Sequence, residues 1–216
     1  MTSRQVSLED VRSEALAALG SVETGNGLDE QTRTLLRLAV HAAALDAEGT
    51  RETAKSALDA GAEPAQLIET LVLIAGIGMH SLLEGCLGLG EVLRERASPV
   101  MTAEFDEGRA RLWRRHVEAD PFWSRDTPEF VETLLRLSPE GCEAFFAFVA
   151  VPWRTRALRV VTKELIALAV DATPSHRYMP GLRQHLATLV RFGVGRAAIL
   201  EALEIAAAAP PHQGVC

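Results

Sequence analysis

Apolar positions recur every three to four residues along most of the chain, and no stretch alternates with period two for long enough to predict a strand. Ser7-Leu-Glu-Asp10 reads as a capping box ahead of a helix over Val11 to Leu19, which Gly20 stops. From Leu28 to Asp46, the residues Leu35, Leu36, Leu38, Ala39, Ala42 and Ala43 form an i, i+3, i+4, i+7 stripe. Arg51 to Ala60 closes on Gly61, and Pro64 in a first-turn position opens Ala65 to Ile77. Leu82 to Arg96 follows and breaks at Ser98-Pro99. Thr127-Pro128-Glu129 and Ser138-Pro139-Glu140 each combine an N-cap residue, an N1 proline and an acidic first turn. Leu158 to Val170, Gly181 to Arg191 and Arg196 to Ala209 complete an expected set of about ten helices.

Two parts of this pattern repeat. Thr32 to His41 aligns with Thr162 to Asp171, and Gly61 to His80 aligns with Gly193 to His212, which superposes Glu69 on Glu201 and His80 on His212. Because a glycine and a histidine coincide along with the apolar positions, the expectation is an all-α fold built from two tandem copies of one three-helix unit. The expected organisation is a degenerate N-terminal copy over 1–98, a connecting helical region over 99–154 and a C-terminal copy over 155–216.

Composition agrees with an all-helical chain. Alanine and leucine account for 33 and 29 of 216 residues, whereas aromatics are 5% with one tyrosine. A mean hydropathy of +0.09, with no uninterrupted apolar run of about 18 residues, predicts no membrane span. The N-terminus meets Glu9 and Asp10 without an apolar h-region, so a cytoplasmic protein is expected. A net charge of −7 argues against a nucleic-acid partner. Cys86, Cys142 and Cys216 are odd in number, scattered and never in a Cys-x-x-Cys pair, which predicts neither a disulfide framework nor a structural zinc site.

Candidate chemistry concentrates in the second copy. Glu164 lies on its first helix, followed by Asp171, Ser175, His176, Tyr178, a Pro180-Gly181 helix start, His185 and, after the third helix, His212. A carboxylate orienting an imidazole suits proton transfer near neutral pH. The set Glu164, His176, His185 and His212 would equally suit a transition metal. The first copy has Thr34 and Thr53 at the positions of Glu164 and His185, which predicts a packing role. Trp113, Trp123, Trp153, Phe105, Phe122 and the Phe145-Phe146-Ala-Phe148 cluster gather in the connecting region, where core and subunit packing is the expectation. His41 and His116 have no evident partner in the sequence.

The run Lys163-Glu-Leu-Ile-Ala-Leu-Ala-Val-Asp-Ala172, then His185, Gly193 and Ile199-Leu-Glu-Ala-Leu-Glu-Ile-Ala206, resembles the carboxymuconolactone decarboxylase and alkylhydroperoxidase D-like family. Ser175 to His185, with its Pro-Gly before the histidine, is similar to the tandem-repeat branch. The resemblance is good over about 155 to 212 and fainter over about 29 to 95. It implies a ring-forming helical protein, with a trimer favoured as the homo-oligomer. The peroxidase branch has cysteines where this chain has Tyr178 and Gly181, so the thiol nucleophile is missing. The decarboxylase branch works without a cofactor through acid/base residues. On that footing Glu164 and His185 are the expected catalytic pair, and His176, Tyr178, His212 and Arg183 the expected contacts to a small carboxylated cyclic or aromatic-derived substrate. A metal-dependent enzyme of the same fold and a non-catalytic scaffold are the alternatives.

Overall fold

The computed structural model describes residues 5–119 and 127–213, and every regular element among them is helical. Packing divides the chain into two compact units: one formed by residues up to Gly78 together with those from Pro152 onward, the other by Met79–Val151. The boundary read from sequence at residue 98 put the helix after Gly78 with the first copy. By packing, that helix groups with the connecting region.

The first unit begins with α1 (Leu8–Ala18), where Ser7 and Asp10 form the reciprocal capping box. Then come α2 (Glu30–Ala43), capped by Asp29, α3 (Ala47–Asp59), capped by Asp46, and α4 (Pro64–Ile77). The second unit holds α5 (His80–Glu95), α6 (Pro99–Thr102), α7 (Glu107–Trp113), a π-helical turn over Arg114–Glu118, α8 (Pro128–Leu137) and α9 (Pro139–Val149). Ser98-Pro99 does end α5, but the proline also starts a short helix. After α10 (Val151–Arg154), the first unit resumes with α11 (Val160–Ala172), α12 (Met179–Arg191) and α13 (Arg196–Ala207).

At the centre of the first unit, α11 packs against α2, α4, α12 and α13. All ten residues from Lys163 to Ala172 are buried, which is why its sequence is nearly apolar all round rather than striped. Three of the ten, Lys163, Glu164 and Asp171, are ionisable, and each must be paired to be tolerated there. In the second unit, Phe130, Phe145 and Phe146 form a core of edge-on aromatic contacts at 5.1 and 5.3 Å, with Leu83, Cys86 and Val117. His116 stacks on Phe146 at 4.2 Å, a partner the sequence did not suggest. Trp153 is exposed, while Phe122 and Trp123 lie outside the described residues.

The α2–α3–α4 and α11–α12–α13 segments share landmarks that periodicity cannot specify. Leu45 and Arg177 both adopt left-handed φ, at 54° and 46°, and Gly61 and Gly193 do so at 86° and 73°. For leucine and arginine this conformation is unfavourable, so its recurrence at matching turns is informative. The ion pairs match as well. Lys163 Nζ meets Glu69 Oε1 at 2.6 Å, and Arg33 Nε meets Glu201 Oε1 at 2.5 Å. In each, the base also donates to a carbonyl of the preceding loop and the acid accepts an N–H from that loop. Each pair joins the first helix of one segment to the third helix of the other.

The stretch Pro64–Glu95 is long and apolar enough, by length and composition, to cross a membrane, contrary to the expectation from run length, and 22% of its most apolar window is buried. Its Glu69 is 5% exposed and committed to Lys163, so the α4 portion belongs to a protein core.

Candidate active site

The site is built on the C-terminal half of α11 and the first turns of α12. Glu164 and Asp171 are seven residues apart, two helical turns, which puts both carboxylates on the side of α11 facing α12. Between the helices the chain turns through Thr173 to Tyr178, and the Tyr178 N–H donates to the Asp171 carbonyl at 2.9 Å. That bond returns the chain to the end of α11 and starts α12 there. Gly181 follows in the first turn of α12. A Cβ at this position would meet Asp171 Oδ2 at 2.0 Å and Tyr178 Cδ1 at 3.0 Å, so only glycine allows the close approach.

His185, one turn further on, reaches Glu164: its Nδ1 lies 2.7 Å from Oε2. Both side chains are largely enclosed, at 14% and 11% exposure. Its Nε2 faces Asp171 Oδ2 at 3.8 Å, and His176 Nε2 faces Asp171 Oδ1 at 3.6 Å. These separations exceed direct hydrogen bonds but are within ion-pair range. The Asp171 carboxyl has no exposed surface, and burial pushes its pKa up to about 7, against the pull of the His185 charge. Burial also depresses the pKa of His176. The His176 and Tyr178 rings lie 6.0 Å apart. The result is a carboxylate–imidazole pair above a buried acid that titrates near neutrality.

The expected catalytic pair is thus in direct contact, with His176 and Tyr178 close by. Arg183 and His212 are placed differently. Arg183 is exposed and held by Glu14 through two hydrogen bonds of 2.9 and 3.1 Å. His212 is exposed beyond α13, and the next residue, Gln213, donates to the Ala44 carbonyl. Among the described residues, no hydrogen bond or ion pair joins His212 to Glu164 or His185. The sequence pointed past Asp171 without giving it a role. Its signals were a lone acid at the end of an apolar helix and a glycine ten residues later.

Cys86 and Cys142 are buried in the second unit, where burial raises both pKa values, that of Cys142 to about 11. Cys216 lies outside the described residues. In the first segment, His41 is not partnerless, for its Nδ1 lies 2.8 Å from Asp46 Oδ2.

Fold and site together define a helical protein with a part-buried carboxylate–histidine pair between two adjacent helices. The carboxymuconolactone decarboxylase family profile matches residues 139–210. A solved structure described as a "putative gamma-carboxymuconolactone decarboxylase subunit" from Burkholderia xenovorans LB400 is similar over 94% of this chain and 91% of that one, with 30% sequence identity and a TM-score of 0.68. No curated protein matches the chain by sequence. The chain belongs to the carboxymuconolactone decarboxylase family.

Proposed function

We propose that the protein is a cytoplasmic, cofactor-independent acid/base enzyme of lyase type, acting on a small carboxylated cyclic substrate. The observation that carries this reading is the 2.7 Å contact between Glu164 and His185. Glu164 accepts from Nδ1–H, which fixes the tautomer and leaves Nε2 as the working nitrogen. In decarboxylation, the bond from the ring to its carboxylate breaks, CO2 leaves, and the electron pair remains on the substrate as an enolate. Protonated His185 then delivers the proton that quenches it. The His176 imidazole and the Tyr178 hydroxyl are the donors assigned to the enolate oxygens. Thiol peroxidase chemistry is disfavoured by more than missing cysteines: the space a side chain at position 181 would need is filled by the Asp171 carboxylate.

The test is decarboxylation of carboxymuconolactone by the purified chain. His185→Ala is expected to lower kcat by about 100-fold to 10,000-fold. Unchanged turnover in that variant would overturn the assignment. We also propose tandem duplication as the origin of the matching turns and ion pairs, and self-association as a trimer. Leu82, Leu89 and Val92 on α5 are 36%, 46% and 44% exposed, and Gly85 between them has open space above it, which is the kind of apolar face that subunits cover.

A further inference from the structure

Four ionisable groups stand in a row within the first unit. Glu164 Oε2 lies 2.7 Å from His185 Nδ1, His185 Nε2 lies 3.8 Å from Asp171 Oδ2, and Asp171 Oδ1 lies 3.6 Å from His176 Nε2. The Asp171 side chain has no exposed surface, whereas His176, on the turn between α11 and α12, is 26% exposed. The two oxygens of one buried carboxyl thus face two imidazoles, one in the acid/base pair and one that water reaches.

The fold holds this row at both ends. The missing side chain at Gly181 leaves the room that Asp171 Oδ2 occupies. His176 is carried by a turn in which its own N–H and that of Arg177 donate to the Thr173 carbonyl at 3.0 Å, and Arg177 Nη1 donates to the Val6 carbonyl at 2.9 Å. The gaps of 3.6 and 3.8 Å are longer than hydrogen bonds. A shift of about 1 Å closes each, and catalytic hydrogen bonds commonly tighten only around the substrate.

Decarboxylation consumes one proton in every cycle. The bond to the carboxylate breaks, CO2 leaves, and the product carbon takes the proton from His185 Nε2. The Nδ1 proton is committed to Glu164, so the next cycle needs a new proton at Nε2. We propose that Asp171 resupplies it: Oδ2 hands a proton to His185 Nε2, and Oδ1 takes one from His176 Nε2, which draws it from water. One solvent proton enters and one leaves on the product, so the row returns to its starting charge. Asp171 touches no substrate atom and acts through His185. Burial favours this direction of travel, because an Asp171 carboxyl pushed up to about 7 can hold the proton near neutrality, while a His176 imidazole lowered by burial gives it up. This role deepens the proposed lyase activity and rests on it for the fate of the proton, whereas the relay itself can be measured without substrate.

The first measurement is the exchange of the His185 ring protons with water, followed by NMR in the full chain labelled with nitrogen-15 histidine. Asp171→Asn keeps the shape of the side chain but cannot pass a proton, and should slow exchange at Nε2 by about ten-fold or more. His176→Ala should slow it comparably. Free imidazole in the buffer should restore exchange in His176→Ala, by standing in for the missing ring, and not in Asp171→Asn. With carboxymuconolactone, Asp171→Asn should lower steady-state turnover about ten-fold and the first turnover much less, because His185 starts with its proton. A merely structural role would slow both alike and would not respond to imidazole. Exchange at Nε2 as fast in Asp171→Asn as in the parent would overturn the relay, and if turnover is then also unchanged the lyase reading stands. A parent chain that exchanges through Asp171 but does not decarboxylate would remove the lyase reading and leave the relay.

Discussion

Asp171 is the residue that most distinguishes this site from an ordinary helix–helix contact. Its ordinary pKa of 3.8 rises to about 7 in the folded chain through burial. Between those values the folded state holds a proton that the unfolded state has released, so this residue's contribution to stability falls as pH rises through the window. Removing the charge should therefore help most above it. Asp171→Asn is expected to raise Tm relative to the parent at pH 8, with the difference shrinking toward pH 5; a pH-independent difference would contradict the assignment. Gly181 is the steric complement of the same acid. Gly181→Ala pushes a Cβ into Asp171 Oδ2 and should cost about 1–3 kcal/mol in denaturant unfolding.

Among elements, α11 depends most on partners distant in sequence. Lys163 is 3% exposed and gives its protons to Glu69 and to the Pro152 and Thr155 carbonyls at 2.6 and 2.8 Å. Deleting one member of a buried pair leaves the other uncompensated, so Glu69→Ala is expected to destabilise by about 3–5 kcal/mol. The joint variant Glu69→Leu/Lys163→Met should recover much of that loss, because apolar pairs of similar volume replace buried ion pairs at little cost. The matching pair Arg33 and Glu201 is about one quarter exposed on each side. Water screens it, and Glu201→Ala should cost on the order of 1 kcal/mol. Urea denaturation of the three variants measures the contrast.

At the scale of the molecule, the exposed apolar positions on α5 bear on assembly. If α5 is covered by another copy of the chain, Leu89→Glu with Val92→Glu should shift sedimentation from a trimer toward a monomer while leaving the helical circular dichroism in place. A parent chain that sediments as a monomer would remove the basis for this expectation.

Much of the fold was legible because helices declare themselves locally. The Ser7 capping box, the Pro64, Pro128 and Pro139 starts and the Gly61 stop lie within a residue or two of the observed ends, since caps and left-handed turns are decided by neighbouring residues. Glu164 and His185 were legible as a pair because a carboxylate and an imidazole stand on neighbouring predicted helices in the order that resembles the family pattern. The role of Asp171 was not legible. A carboxylate acquires a pKa near neutrality only when the surrounding elements exclude water from it, and no local spacing encodes that exclusion. Arg183, a sensible anion-binding residue in sequence, is held by Glu14, which lies 169 positions away. The sequence by itself determined the helices, their caps and the repeated order of landmarks, because these arise from interactions within a few residues. Only the tertiary structure decided which ionisable groups share a buried space, because burial, pairing and the pKa values that follow are set by residues far apart in the chain.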